Sequence, residues 1–275
     1  MDRMFLSLLF SLIVGIYTSN AEEYGRDWKG NVSKVIISEE KESWSFFKMR
    51  RVTHSNPTYS HEFDAEGRAT RICRYADGEV FIEETFSYDD KTGRRVGETR
   101  TKGNVTRKCE TVHVGNEEIT SFFDRNGQLY IQEFKTIDAK DNVEKKEERW
   151  ADGLTNYKTT YEYDEQSRLT SSHLYFGSGL LKEVTRWKYD ENGRVAERSL
   201  HSNDGVVFEK EVYDYDAAGN VVGKEVSGKL HRHVQREFYT YEFDAHGNWT
   251  RMGVSSEKGG TPKSFVRRLI EYWER

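Results

Sequence analysis

Tyr189-Asp190-Glu191-Asn192-Gly193-Arg194 is the stretch that decides the fold, because it recurs along the chain. Tyr163-Asp164-Glu165-Gln166-Ser167-Arg168 precedes it; Tyr215-Asp216-Ala217-Ala218-Gly219-Asn220 and Phe243-Asp244-Ala245-His246-Gly247-Asn248 follow. The four aspartates lie 26, 26 and 28 residues apart. Earlier copies are Phe63-Asp64 to Arg68, Phe123-Asp124 to Gln128, and Tyr88-Asp89 to Arg94 with one extra residue. Each position has a physical task. The aromatic residue closes a strand. Asp accepts a hydrogen bond from the backbone two residues on. Gly supplies the positive φ that returns the chain to an antiparallel ladder through a bulge. Ser167, standing where the other copies have Gly, is the weak point of the pattern.

A second set of turns lies between the signatures: Ala76-Asp77-Gly78, Lys102-Gly103-Asn104, Gly177-Ser178-Gly179, Asn203-Asp204-Gly205, Ser227-Gly228-Lys229 and Lys258-Gly259-Gly260. With Gly115-Asn116, Asp138 to Asn142 and Asp152-Gly153, a turn falls roughly every 13 residues, which suits strands of about eight to ten residues. The expected fold is all-β: a long antiparallel meander of roughly 18–20 strands, in a single twisted or curled sheet that is partly single-layer. Counting turns alternately puts the Phe123 signature on the opposite edge from the others. Either the edge changes there, or the turn near Gly115 is absent.

Export is expected from the first residues. Met1 to Met4 carries one Arg, Phe5 to Ile16 is continuously apolar, and Ser19-Asn20-Ala21 has small residues where a signal peptidase cuts. The apolar run is too short for a membrane span, which needs about 20 residues. The expected organisation is a signal peptide over 1–21 and one repeat domain over 22–275, placed in the periplasm, on the cell surface or outside the cell. The net charge of −5 argues against nucleic acid as a partner. A chain that is 35% hydrophobic and 32% charged has material for a thin core only. Its 16 Tyr and 15 Phe favour strands.

Residues two apart share a sheet face. Tyr161 with Tyr163, Trp187 with Tyr189, Tyr213 with Tyr215, Tyr241 with Phe243, and Phe86 with Tyr88 therefore form an aromatic ladder, joined by Trp249 after the last Gly. The ladder is either core, covered by curling or by a second layer, or an open strip that stacks on sugars or peptides. Val143 to Trp150 (VEKKEERW) carries charge on both faces, as does Thr106 to Thr111. That predicts a sheet solvated on both sides and excludes a lipid-facing barrel. The same run also suits a helix, since Glu and Lys are good helix formers.

No catalytic constellation stands out: there is no phosphate loop, no Gly-x-Ser-x-Gly elbow and no His-Glu-x-x-His helix. His231 and His233 share a strand face as a metal half-site, but His246 lies roughly 40 Å along the strand and no third ligand is evident. The turns lack the carboxylate series of a calcium loop. No metal and no cofactor are expected. Cys73 and Cys109 fall on strands three apart, roughly 14 Å in a flat sheet. A bridge needs Cα atoms within about 7 Å, so the two are expected to be unpaired.

The Tyr-Asp-x-x-Gly-Arg/Asn copies resemble the YD repeats of the bacterial RHS-repeat family. Tyr241 to Thr250 (YEFDAHGNWT) with Arg267 to Tyr272 (RRLIEY) resembles the C-terminal unit of small exported members, and Gly30 to Val35 (GNVSKV) their opening strand. The resemblance implies a stand-alone repeat protein of unassigned activity. Large members wind such repeats into a hollow shell around a toxin domain; this chain has too few repeats to close such a shell comfortably. The expected function is non-enzymatic binding of a glycan or protein across the sheet. The binding face would hold Tyr161, Tyr163, Trp187, Tyr189, Tyr213, Tyr215, Tyr241, Phe243 and Trp249. Carriage of an apolar ligand on a curled aromatic face is the alternative, and hydrolysis a third.

Overall fold

The computed structural model describes residues 28–45 and 50–274. The expected signal segment and cleavage site lie outside them. The strands are β1 (Val32–Ser45), β2 (Arg50–Phe63), β3 (Ala69–Ala76), β4 (Glu79–Asp89), β5 (Arg94–Thr101), β6 (Asn104–Val114), β7 (Glu117–Asp124), β8 (Leu129–Ile137) and β9 (Val143–Trp150). They continue with β10 (Thr155–Tyr163), β11 (Leu169–Phe176), β12 (Leu181–Tyr189), β13 (Val195–Ser202), β14 (Val207–Tyr215), β15 (Val221–Ser227), β16 (Gln235–Phe243), β17 (Trp249–Ser255) and β18 (Ser264–Tyr272). The charged run Val143–Trp150 is strand, not helix.

The expectation of an open, curled sheet is wrong. Each strand is antiparallel to its chain neighbours, and β1 pairs with β18 as well as β2, from Val32↔Tyr272 to Glu40↔Phe265. The meander is a closed 18-stranded barrel. Physics favours closure. Adjacent strands rotate by roughly 20°, so 18 of them cannot stay open and flat. Open edges would also leave two rows of unpaired backbone groups. With strands about 4.8 Å apart and tilted about 40°, a circular ring would be about 35 Å across between backbone walls.

Turns after even-numbered strands share one rim. It carries the signatures at Asp64, Asp89, Asp164, Asp190, Asp216 and Asp244. Asp124 lies between β7 and β8, on the opposite rim, and the Gly115-Asn116 turn between β6 and β7 is present. The edge change is real. Its place on the signature rim is taken by Asp138 to Asn142. Here Asp138 Oδ1 accepts from the N–H groups of Lys140 and Asn142 at 2.8 Å each, and Asp141 takes the positive φ (63°) normally given to Gly.

The signature residues also join neighbouring hairpins. Asp190 Oδ1 accepts from the Asn192 and Arg194 N–H groups, and its Oδ2 accepts from Arg194 Nε. The Arg194 guanidinium lies 4.5 Å over the Tyr215 ring of the next signature. The Tyr215 hydroxyl donates to the Val195 carbonyl at 2.8 Å. Tyr88, Tyr163, Tyr189 and Tyr241 latch onto Ala69, Val143, Leu169 and Val221 in the same way. In the Asp164 turn Ser167 holds φ 58°, a conformation that costs a residue with a Cβ roughly 1–2 kcal/mol. Ser167→Gly is therefore expected to stabilise the barrel by about 1 kcal/mol in denaturant unfolding. An unchanged or lower midpoint would contradict that assignment.

At the seam the two ends of the described chain complete one turn between them. Asn248 Oδ1 accepts from Lys29 N–H at 2.9 Å, and its Nδ2 donates to the Lys29 carbonyl at 2.7 Å. Trp273 N–H donates to the Asn31 carbonyl, and the His246 ring stacks on Tyr272 at 4.0 Å. Two small apolar clusters flank this seam: Val32, Val35, Phe63, Ala69 and Ile72, and then Met252, Val254 and Val266.

His61, on β2 beside the first cluster, is buried. Burial, then the positive charges of Arg268 and Arg74, lower its pKa to about 4. The folded state thus holds the ring neutral. That contribution is complete above the unfolded value near 6.5 and is lost as pH falls through the folded value, about 3 kcal/mol in all. Unfolding free energy is expected to fall between pH 7 and 4, and His61→Phe to flatten that part of the profile. Parallel profiles for the two proteins would contradict the sign.

Candidate functional site

The inner wall of the barrel is the candidate site. Alternation gives each strand two faces, and their exposure shows which is inside. On β12, Trp187 and Tyr189 are half-buried while Arg186 and Lys188 are exposed. On β10, Tyr161 and Tyr163 are half-buried while Lys158 and Glu162 are exposed. On β18, Val266 is buried and Arg268 and Ile270 half-buried, while Arg267, Leu269 and Glu271 are exposed. Side chains converge and cover one another on the concave side of a curved wall and splay on the convex side. Cross-strand pairs from β12 to β18 keep Trp187, Tyr213, Tyr241 and Val266 on one face.

All nine aromatic residues singled out from the sequence lie on this inner face. They do not form one cluster. They run from β10 to β17, about 34 Å along the wall at about 4.8 Å per strand. Tyr213 is buried and Phe243 exposed, with the rest half-covered. Tyr241 meets Phe243 and Trp249 at 6.0 and 6.1 Å between ring centroids. The Arg268 guanidinium lies 3.4 Å over Trp249.

Between the rings the wall carries charge. Glu211 is 1% exposed. Its carboxylate is held by Lys224 Nζ at 2.6 Å, Arg198 Nη1 at 3.1 Å and the Tyr213 hydroxyl at 2.9 Å. Burial works against its ionisation, but Lys224 and then the Tyr213 and Arg198 contacts hold the pKa below the ordinary carboxylate value. Burial, reinforced by Glu211, pushes the Tyr213 phenol well up. Tyr239 is raised by burial and by Glu237, to which it donates at 2.6 Å. Lys135 and Glu118 are buried as a pair at 3.1 Å, and Lys146 reaches Glu133 at 2.7 Å. Mutual pairing lets these charges be covered, which a reading of charged strands as solvated on both faces does not anticipate.

The outer wall is charged as well. Arg71 bridges Glu62 and Glu83, and Glu197 bridges Lys188 and Lys210. Among the described residues it shows no continuous apolar band of the kind a barrel facing hydrocarbon needs.

His231 Nε2 sits 3.1 Å from Glu209, and among the described residues no group of three His, Cys, Asp or Glu side chains is arranged to hold a metal. Cys73 on β3 and Cys109 on β6 are free thiols. Burial raises the pKa of both.

No protein-family model matches the chain, and no curated protein sequence does. Solved structures do. A porin-like protein from Bacteroides uniformis superposes with a TM-score of 0.50 at 11% identity, over 89% of this chain and 99% of that one. A second, from Bacteroides vulgatus, gives 0.28 at 13% identity over 88% and 98%. The Tc holotoxin pore of Photorhabdus luminescens gives 0.21 at 10% identity, over 92% of this chain and 20% of that one. The likeness to the first concerns the fold.

Proposed function

We propose that this chain is a small exported YD-repeat protein that binds, without catalysis, a polar ligand inside its barrel. The observation that carries the reading is the inner wall. Its aromatic rings share one concave face, most of them half-covered, and alternate with paired charges. Flat aromatic faces beside fixed polar groups suit the mixed apolar and hydroxyl surface of a glycan, or a peptide segment. Export rests on the apolar run at Phe5 to Ile16.

One observation favours an apolar ligand instead: the inner wall at the seam is lined by Val35, Val266, Met252 and Val254. Native mass spectrometry of protein purified from its host separates the two. A retained saccharide or peptide mass that Trp187→Ala with Tyr161→Ala abolishes is the expected result. A retained lipid points to the carrier. Absence of any bound mass, together with no binding on glycan and peptide arrays at micromolar concentration, would contradict both.

A further inference from the structure

On the outer wall one row of side chains has a gap. Cross-strand pairing sets Asp214 on β14 opposite Gly223 on β15, Gly223 opposite Phe238 on β16, and Phe238 opposite Ser255 on β17. Three of these four positions carry a side chain; Gly223 does not. The carboxylate and the aromatic ring therefore face each other across two strand spacings, about 10 Å. A Cβ built on Gly223 would lie 2.9 Å from Asp214 Oδ2, so the carboxylate leans into the space left open.

The next row repeats the arrangement, with Thr240 opposite Gly253. A Cβ on Gly253 would lie 2.8 Å from Pro262 Cγ, so the strand is bare there to let the β17–β18 loop fold back onto it. That loop brings Lys258 and Gly259 to the edge of the hollow. The result is a depression of about 430 Å³ lined by Asp214, Phe238, Thr240, Ser255 and Lys258, among others. Its size falls within the range of small-molecule sites, roughly 300–1,000 Å³.

The polar groups around it are available. Among the described residues, the side chains of Asp214, Thr240 and Lys258 have no hydrogen-bond or ion-pair partner. Several other carboxylates on the outer wall are engaged: Glu62 and Glu83 by Arg71, Glu98 by Arg100, Glu197 by two lysines, Glu225 by Arg236. Around this hollow and its phenyl ring stand two unpaired carboxylates, Asp214 and Glu257, with the Thr240 hydroxyl and the Lys258 ammonium.

We infer that this hollow binds a single pyranose ring of a glycan. The C–H face of the sugar would lie on Phe238, Asp214 would accept from two adjacent hydroxyls, and Lys258 and Thr240 would donate to sugar oxygens. An apolar ligand would bury the carboxylate without a partner, and a free anion would meet its repulsion. The site lies outside the barrel and does not depend on a ligand in the lumen.

The test is a titration of the full mature protein with methyl glycosides of glucose, galactose, mannose and N-acetylglucosamine, followed by amide chemical shifts. At least one glycoside is expected to give saturable shifts at β15–β17. Asp214→Asn and Phe238→Ala should each weaken it about tenfold or more, with the spectra otherwise folded. Phe134→Ala, on the outer wall elsewhere, should leave the affinity unchanged. No saturable shift with any glycoside up to about 50 mM, or binding that both site variants leave intact, would overturn the assignment. Loss of binding in Trp187→Ala alone would place the sugar in the lumen and overturn it too.

Discussion

Replacing Lys224 with methionine is expected to cost about 3–5 kcal/mol of unfolding free energy, because it leaves a buried carboxylate short of its closest cation. Glu211 is almost fully covered, and Lys224 Nζ is 2.6 Å from it. Arg198 and the Tyr213 hydroxyl remain in the variant, so the lower end of that range is the better guide. The double variant Glu211→Met with Lys224→Met should recover most of the loss, since it removes the buried charge together with its partner. Urea unfolding monitored by circular dichroism checks both. A loss below about 0.5 kcal/mol in the single variant, the usual range for surface substitutions, would contradict the burial of the pair. The sign with pH follows from the depressed carboxylate of Glu211. Its contribution is present above the unfolded carboxylate value and disappears as pH falls through the folded one.

Removing residues 261–275 should do more damage than any point substitution. β18 pairs with β17 on one side and β1 on the other, and it contributes Val266, Ile270 and Tyr272 to the seam. Its loss opens the ring and exposes two edges at once. The cost is expected to exceed the whole stability of a typical domain, about 5–15 kcal/mol. Truncated protein should therefore lack a cooperative thermal transition and elute as aggregates. An open sheet would lose only one edge strand out of 18 and should survive as a monomer with a modestly lower midpoint. Size exclusion and a thermal scan distinguish the outcomes.

The strands and most of the turns were legible because turn chemistry is local. Asp190, Asn192, Gly193 and Arg194 form their hydrogen bonds within five residues, so the pattern is readable wherever it recurs. Asp138 to Asn142 shows the limit. Its hydrogen bonds are those of the signature, but Ile137 stands for the aromatic residue and Asp141 for Gly, so only the folded turn reveals it as a copy.

Closure was not legible, because the contacts that make it, Lys29 with Asn248 above all, join residues 219 apart. The strand count gave the only hint: it far exceeds what an open twisted sheet sustains.

The aromatic set was legible for a different reason. A period of two is all that is needed to place Tyr161, Trp187, Tyr213 and Tyr241 on one face, though not to say that the face is the inside. The charge cluster was hidden. Val207 to Tyr215 reads as an ordinary charged strand, and Glu211 is singled out only when register places Arg198 and Lys224 on either side of it. The outer hollow was hidden in the same way. Gly223 and Gly253 are unremarkable in sequence, and their meaning comes from the neighbours across the strands.

The central claim is that β1 and β18 are neighbours in one closed ring, and a cysteine pair tests it directly. Ile36 and Leu269 are cross-strand partners, with Leu269 on the outer face, at a spacing that permits a disulfide. Ile36→Cys with Leu269→Cys, in a background where Cys73 and Cys109 are replaced by Ala, is expected to oxidise to an intramolecular bridge in the folded monomer. The sign is a loss of two mass units and faster migration on a non-reducing gel. In an open sheet the same residues would sit about 80 Å apart, and free thiols or covalent dimers in place of that bridge would contradict the closed barrel.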